Sequence, residues 1–195
     1  MGEVAHNNID KYEHVLSSTL LNEWGKTKSP EEITTLIEDM KSATLDWENS
    51  REHEVGVALA AVQVDKLYRI VVIREDFNEK NNTNFDVFIN PKIVKYEGEI
   101  EDDFEGCLSV KDVYGKVPRH TKIRVDALDE NGKPVRVKAE GFLARVFQHE
   151  IDHTNGKLFV DLIKDKPEAF YKLAENGKIE DMSDDEKQRI FSILW

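Results

Sequence analysis

The segment from Gly141 to Gly156 constrains the fold most strongly, because its apolar residues recur with the period of a helix after a stretch of strand-like alternation. Leu143, Phe147 and Ile151 lie four residues apart and would form one buried face. Asn155-Gly156 is a typical helix stop. The sequence therefore predicts a helix that ends at this dipeptide.

A second stripe of this helix carries two histidines and a glutamate. His149 and His153 are four residues apart, and Glu150 directly follows the first. Side chains at i and i+4 lie on one helical face, so both imidazoles can bind one metal ion while Glu150 reaches a water molecule on that ion. The alternative is a charged, solvated helix end without a metal.

Helical signals also lie at both ends of the chain. Ser29-Pro30-Glu31-Glu32 has the pattern of a capping box with proline at the first helical position, which predicts a helix to about Trp47. Ser183-Asp-Asp-Glu186 is a second capping-box candidate near the end of the chain.

Strand signals fill the middle of the chain. The β-branched run at 69–74 and the similar run at 86–90 predict strands, the second of which ends at Pro91. An Asn-Gly turn at 129–132 joins two alternating segments and predicts a hairpin. This order of helices and strands is typical of an α+β domain.

Composition limits the function. The 195 residues, 39% of them hydrophobic, can bury one core, and we predict a single domain over residues 1–195. The net charge of -12 disfavours an extended nucleic-acid surface, so small molecules or peptides are the expected partners. No run is long and apolar enough to cross a membrane and no signal peptide is recognisable, which predicts a cytoplasmic location.

The only cysteine, Cys107, lies in Glu105-Gly-Cys-Leu-Ser109. A lone cysteine is more often a small buried hydrophobic residue than a metal ligand. Beside a histidine pair that needs another donor the preference reverses, because catalytic metal sites commonly use three protein ligands and leave a position for water. Cys107, His149 and His153 would make such a set.

The segment Gly56-Val-Ala-Leu-Ala-Ala-Val-Gln63 combines small residues with a glutamine. Small residues let a backbone approach closely, as in a strand that lines a pocket, and Gln63 can present an amide donor there. The alternative is an ordinary buried strand with a capping glutamine.

Together, in this order, the three segments resemble the signature motifs of peptide deformylases, which remove the formyl group from the initiating methionine of new polypeptides. The resemblance covers about Gly56 to Asp161, and Glu-Gly-Cys-Leu-Ser and Gln-His-Glu-Ile-Asp-His match in full. Val117-Pro-Arg119 and Gly141-Phe-Leu-Ala-Arg145 also resemble that family.

The resemblance implies a peptide deformylase-like α+β fold in which antiparallel strands pack around a central metal-binding helix. It also implies a catalytic core at 56–161. The chain would then have a divergent helical N-terminal segment at 1–50 and a helical C-terminal segment at 165–195.

The resemblance further implies a role for each matching residue. Cys107, His149 and His153 would hold one divalent metal ion, which is Fe(II) in the family's native form and often zinc or nickel in isolated protein. Glu150 would be the general base. The backbone N–H of Leu108 would stabilise the oxyanion together with the amide of Gln63.

The implied substrates are N-formylmethionyl peptides of nascent chains. They would bind along Gly56, Val57, Ala58, Phe104, Glu105, Gly106, Phe142 and Val146. Among these, the methionine side chain would lie near Val57, Phe104, Phe142 and Val146. Glu105 would also form a structural ion pair with Arg119.

Several features depart from the family pattern. Ala58 stands where the first motif usually has glycine. The acidic C-terminal tail is unlike the basic helix that some relatives dock on ribosomes, so a ribosome contact is possible but the sequence does not support it. A catalytically weak, deformylase-like protein that binds formyl-peptides is therefore one alternative. The other is a His-Glu-x-x-His metallopeptidase, although those enzymes more often add a carboxylate or a third histidine than a cysteine.

Overall fold

The structure is a computed structural model that describes residues 30–79 and 82–194. Within these ranges the helices are α1 (Pro30–Asn49), α2 (Gly141–His153) and α3 (Asp184–Leu194). The strands are β1 (Ala58–Ala60), β2 (Ile70–Arg74), β3 (Phe85–Cys107), β4 (Val110–Leu128), β5 (Pro134–Glu140), β6 (Phe170–Leu173) and β7 (Ile179–Asp181). Short 3-10 helices lie at Ala61–Val64, Phe159–Leu162 and Pro167–Ala169.

These strands form one antiparallel sheet in the order β1-β2-β3-β4-β6-β7, and β5 pairs with β4. The long strand β4 pairs with β3 along one edge, while its other edge pairs with β6 at 113–115 and with β5 at 122–128. Helix α2 follows β5 directly in the chain and contacts β4.

Helix α2 packs on one face of the sheet through its apolar stripe. The ring of Phe147 is completely buried and meets Phe88 of β3 edge to face, with ring centroids 4.8 Å apart. Val71 and Ile73 of β2 belong to the same cluster. The predicted helix is confirmed, and Gly156 adopts the left-handed conformation, with φ of 74°, that the predicted stop requires.

Helix α1 packs on the opposite face of β2. Its Leu36, Ile37 and Met40 form a second cluster with Ile70 and Val72. The run of apolar residues in β2 is thus explained by burial on both faces. The predicted helix is also confirmed, although its proposed cap Ser29 lies outside the described residues.

The predicted end of a strand at Pro91 is wrong, because β3 continues to Cys107. Proline cannot donate a hydrogen bond to a sheet ladder, and here the register shifts between Ile89 and Lys92, which takes Pro91 out of regular pairing. Asn90 adopts a positive φ of 52° at this irregularity. The predicted hairpin between β4 and β5 is confirmed, with Gly132 in its turn.

Two further expectations need correction. Gln63 lies on a 3-10 helix that follows the three-residue strand β1, not on a strand. The segment 165–195 is not only helical, because β6 and β7 form a hairpin whose turn contains Gly177 at φ 77°. The capping box of α3 is present, since Ser183 and Glu186 exchange side-chain to backbone hydrogen bonds. No helix among the described residues is long and apolar enough to cross a membrane.

Phe147→Ala should lower the free energy of unfolding by about 3–5 kcal/mol, because it removes a fully buried aromatic ring between α2 and the sheet. Phe142→Ala, on the same helix at a half-exposed position, is the matched control and should cost far less. Urea unfolding followed by circular dichroism measures both values. Equal losses for the two variants would contradict this account of the core.

Candidate metal centre and active site

Three potential metal ligands converge beside α2. Sγ of Cys107, at the end of β3, lies 3.3 Å from Nε2 of His153, and that atom lies 3.1 Å from Nε2 of His149. All three residues are buried, and their donor atoms lie within 4.8 Å of one another. The helix supplies two donors at i and i+4, and the β3–β4 turn brings the third.

The donor set fits a divalent metal ion. Atoms about 2.0–2.3 Å from a tetrahedral ion lie roughly 3.3–3.6 Å apart, close to the separations of these side chains. One thiolate with two imidazoles also suits zinc, nickel or ferrous iron better than calcium or magnesium, which prefer oxygen ligands. Cys107, His149 and His153 therefore match a first-row metal in both geometry and chemistry.

Glu105 orients one of these ligands. Its Oε2 atom lies 3.0 Å from Nδ1 of His149, which leaves Nε2 of that ring directed at the cluster. Burial raises the pKa of the Glu105 carboxyl, but hydrogen bonds from His149 and Arg119 outweigh burial and lower the pKa to about 2. The ionised carboxylate favours a proton on Nδ1 and keeps Nε2 available as a ligand.

Two arginines compensate the buried charge of Glu105. Arg119 donates Nε and Nη2 to its two oxygens at 2.8 and 3.0 Å, and Arg145 donates Nη1 at 2.9 Å. Arg119 also donates to Asp152 on α2 at 2.6 Å. The expected ion pair between Glu105 and Arg119 is thus part of a larger network that connects β3, β4 and α2.

The pKa values of the two histidines are shifted in opposite directions. Burial opposes the charge on His149, but hydrogen bonds to Cys107 and Glu105 outweigh it and raise its pKa well above the ordinary value. Burial, and then the charge of His149, lowers the pKa of His153 well below the ordinary value. Protons compete with a metal for these nitrogens, so metal affinity should decrease at low pH.

Glu150 lies next to the cluster but is not one of its three potential ligands. Its carboxyl is buried, and its Oε2 has no hydrogen-bond partner among the residues that the structure describes. Burial is the main cause that raises the Glu150 pKa, to about 7. A buried carboxyl with a free oxygen and a pKa near neutrality is suited to transferring protons at physiological pH.

The side chain of Gln63 is held in one orientation. Its Oε1 accepts a hydrogen bond from Ala60 N–H at 2.8 Å, so Nε2 points toward Ser109 Oγ at 3.0 Å and Cys107 Sγ at 3.7 Å. The amide donor therefore lies at the edge of the metal centre. Leu108 occupies the adjoining turn between β3 and β4.

A cavity of 260 Å³ opens onto this centre. Its walls include most residues predicted to contact substrate or to act in catalysis, namely Val57, Ala58, Gln63, Phe104, Glu105, Gly106, Cys107, Leu108, Phe142, Val146, His149 and Glu150. His153 does not line the cavity and is fully buried. Gly56 is an exception to the prediction, because it does not line the cavity and its N–H is donated to Glu48 of α1.

Other residues at the site were missed by sequence reasoning. Arg145 is buried one turn before His149 on the same helical face, and that i, i+4 spacing was a usable signal. His53 and Glu54 line the cavity, and Glu54 accepts a hydrogen bond from Tyr114 at 2.8 Å. No local pattern connects residues that are sixty positions apart.

Comparison with known proteins assigns the chain to a family. The sequence profile of the polypeptide deformylase family matches residues 7–168. The chain belongs to the peptide deformylase family. The match begins well before Gly56, where the sequence resemblance was expected to start, so most of the N-terminal segment predicted as divergent lies within the family's profile.

Named relatives agree with this assignment. A peptide deformylase of Psychrobacter arcticus is 45% identical over 132 residues, which cover 68% of this chain and 66% of the relative, just under two thirds of its length. A second relative, peptide deformylase 2 of Clostridium acetobutylicum, is 44% identical over 135 residues and is covered to 80%.

Solved structures show the same fold. A peptide deformylase from Legionella pneumophila superposes with a TM-score of 0.63 at 34% identity, over 92% of this chain and 89% of that one. One from Synechococcus elongatus, in complex with actinonin, gives 0.61 at 36% identity over 75% of each chain. The predicted family and the α+β fold are confirmed by these matches.

Cys107→Ser should weaken zinc binding by more than the roughly 10- to 100-fold that loss of a supporting hydrogen bond costs, because it removes a direct ligand. Competition with a colorimetric chelator measures the affinity. His120→Ala is the control, since His120 lies on β4 outside the cluster, and this variant should retain one zinc per chain. Wild-type affinity in Cys107→Ser would contradict the assigned ligand.

Proposed function

We propose that this chain hydrolyses the N-formyl group of N-formylmethionyl peptides of nascent chains, with Glu150 as general base beside the Cys107, His149 and His153 set. The observation that carries the proposal is the position of Glu150. A buried carboxyl with one free oxygen lies beside three converging metal ligands at a cavity whose walls include the apolar side chains of Val57, Phe142 and Val146. The products would be formate and a free amino terminus.

The three ligands would hold one divalent ion, which we propose is Fe(II) in the native protein and zinc or nickel in some isolated preparations. When bound, the ion supplies Lewis acidity that makes water easier to deprotonate and polarises the formyl carbonyl. Cys107 contributes a negative charge to the site and is open to oxidation, so we expect the ferrous protein to be oxygen-sensitive.

Glu150 would act twice. It takes a proton from the attacking water, which can then add to the formyl carbon, and it returns the proton to the departing amine. The pKa of about 7 supports both steps, because a group with such a pKa binds and releases protons readily near neutral pH. The Glu150 oxygen without a hydrogen-bond partner is available for this transfer.

Gln63 and the Leu108 N–H would stabilise the negative oxygen that develops on the formyl group. Gln63 is suited to this role because Ala60 N–H fixes its Oε1, so that its Nε2 donor is held toward the metal centre. Loss of one such donor typically lowers turnover by about 100- to 1000-fold.

The substrate would enter as an extended chain along β1, with its methionine side chain among Val57, Phe104, Phe142 and Val146. Main-chain pairing gives an affinity that depends little on the substrate residues after the methionine, and one apolar pocket recognises the methionine side chain. Ala58 faces the same cavity, and its methyl also packs in the cluster around α2. We place this reaction in the cytoplasm, where nascent chains are made.

Formate release from formyl-Met-Ala-Ser by anaerobically prepared Fe(II) protein is the direct test. Glu150→Gln should lower kcat by about 100- to 10,000-fold while one metal per chain is retained, because only proton transfer is lost. Glu130→Gln, at the exposed hairpin turn, is the control. Absence of turnover in metal-loaded wild type would overturn the proposal and favour a formyl-peptide-binding protein.

The rate should depend on pH through Glu150. Because a general base must be deprotonated, kcat/KM should be high above a pH of about 7 and decrease by about tenfold per unit below it. A pH profile of the wild type measures this limb. The limb should disappear from the residual activity of Glu150→Gln, and its persistence there would assign it to another group.

A further inference from the structure

Glu48 and Arg74 form an ion pair in the interior, away from the metal centre. Nη2 of Arg74, at the end of β2, lies 2.9 Å from Oε2 of Glu48, near the end of α1. Their side chains are 0% and 5% exposed. Burying two charges is costly, so such a pair is weak evidence for stability and suggests a role in fixing a specific geometry.

This ion pair holds the start of the substrate segment. Oε2 of Glu48 also accepts a hydrogen bond from Gly56 N–H at 2.9 Å, and the backbone N–H of Arg74 donates to Val57 O at 2.8 Å. A Cβ on Gly56 would lie 2.7 Å from the Thr44 methyl and 2.8 Å from its carbonyl oxygen. Gly56 is therefore fixed directly against the backbone of α1.

The next two residues face the active site. Val57 and Ala58 line the cavity, whereas Glu48 and Arg74 do not. Among the described strands β1 pairs only with β2, and because Ala60 N–H is already donated to Gln63, the backbone around Ala58 is the part of the other edge that can pair with an extended peptide. The position of β1 relative to Phe104 and Leu108, which also line the cavity, therefore depends on how Gly56 and Val57 are held just before the strand begins.

We propose that Glu48 and Arg74 are positioning residues for substrate, whose ion pair fixes Gly56 so that β1 presents its unpaired edge to the peptide beyond the formyl-methionine. This inference rests on the proposed deformylase function. Neither side chain touches the reacting atoms. The ion pair would thus govern how well a longer peptide is bound and leave the chemical step unchanged.

The test compares formyl-Met-Ala-Ser with formyl-methionine amide, which lacks residues to pair with β1. In Glu48→Gln the shape is retained but the charged acceptor of Gly56 N–H is lost, and charged hydrogen bonds are roughly twice as strong as neutral ones. The expected result is a KM for the tripeptide raised about tenfold, with kcat and the KM of the amide within about twofold of wild type.

A second variant separates positioning from folding. Glu48→Met combined with Arg74→Met removes both charges, so no unpaired charge is left in the interior, and it also lacks the acceptor for Gly56. The same selective rise in KM is expected, with an unchanged circular dichroism spectrum. Glu97→Gln, which breaks a partly exposed ion pair with Arg124 on the β3–β4 hairpin, is the matched control and should leave the KM of both substrates unaffected.

The outcomes are distinct. If the wild type hydrolyses neither substrate, the proposed function itself fails. If the wild type hydrolyses both but Glu48→Gln and the double variant raise KM equally for both substrates, lower kcat alone or change nothing, the positioning role is overturned. A rise in KM confined to the tripeptide supports it.

Discussion

The buried charge of Glu105 is the constraint on which the rest of the site depends. A carboxylate in the interior must be compensated, and here Arg119, Arg145 and His149 together supply its partners. Because these partners come from β4 and α2 while Glu105 lies on β3, satisfying one charge fixes three elements relative to one another. The positions of the metal ligands depend on that geometry, since Cys107 is two residues from Glu105 and His149 contacts its carboxylate.

The fold serves this arrangement by bringing sequence-distant donors to one place. A long antiparallel pair, β3 and β4, turns at Leu108, and α2 lies directly against it, so a thiol and two imidazoles meet although forty residues separate them. The buried position that raises the pKa of Glu150 is set by the same packing. The geometry of the centre and the acidity of its proposed base are thus consequences of one helix on one sheet.

Sequence reasoning anticipated what is encoded locally. The period of α2, the Asn-Gly hairpin and the spacing of His149 and His153 are short-range signals, and the structure contains each of them. It failed where distant packing decides the outcome. A proline ordinarily ends a strand, yet β3 continues past the bulge near Pro91 because β4 pairs with β3 on both sides of it, from Ile89 to Cys107. Neither local segment contains a sequence signal that predicts the contact between Glu48 and Arg74.

The double burial of β2 has a consequence for how this protein can evolve. Every residue from Ile70 to Arg74 is buried, and alternate side chains belong to the clusters of α1 and α2. The strand thus has no face on which neutral substitutions can accumulate. The β3–β4 hairpin has exposed positions such as Ile100, where substitutions disturb no packing, so we expect β2 to change far more slowly than the hairpin.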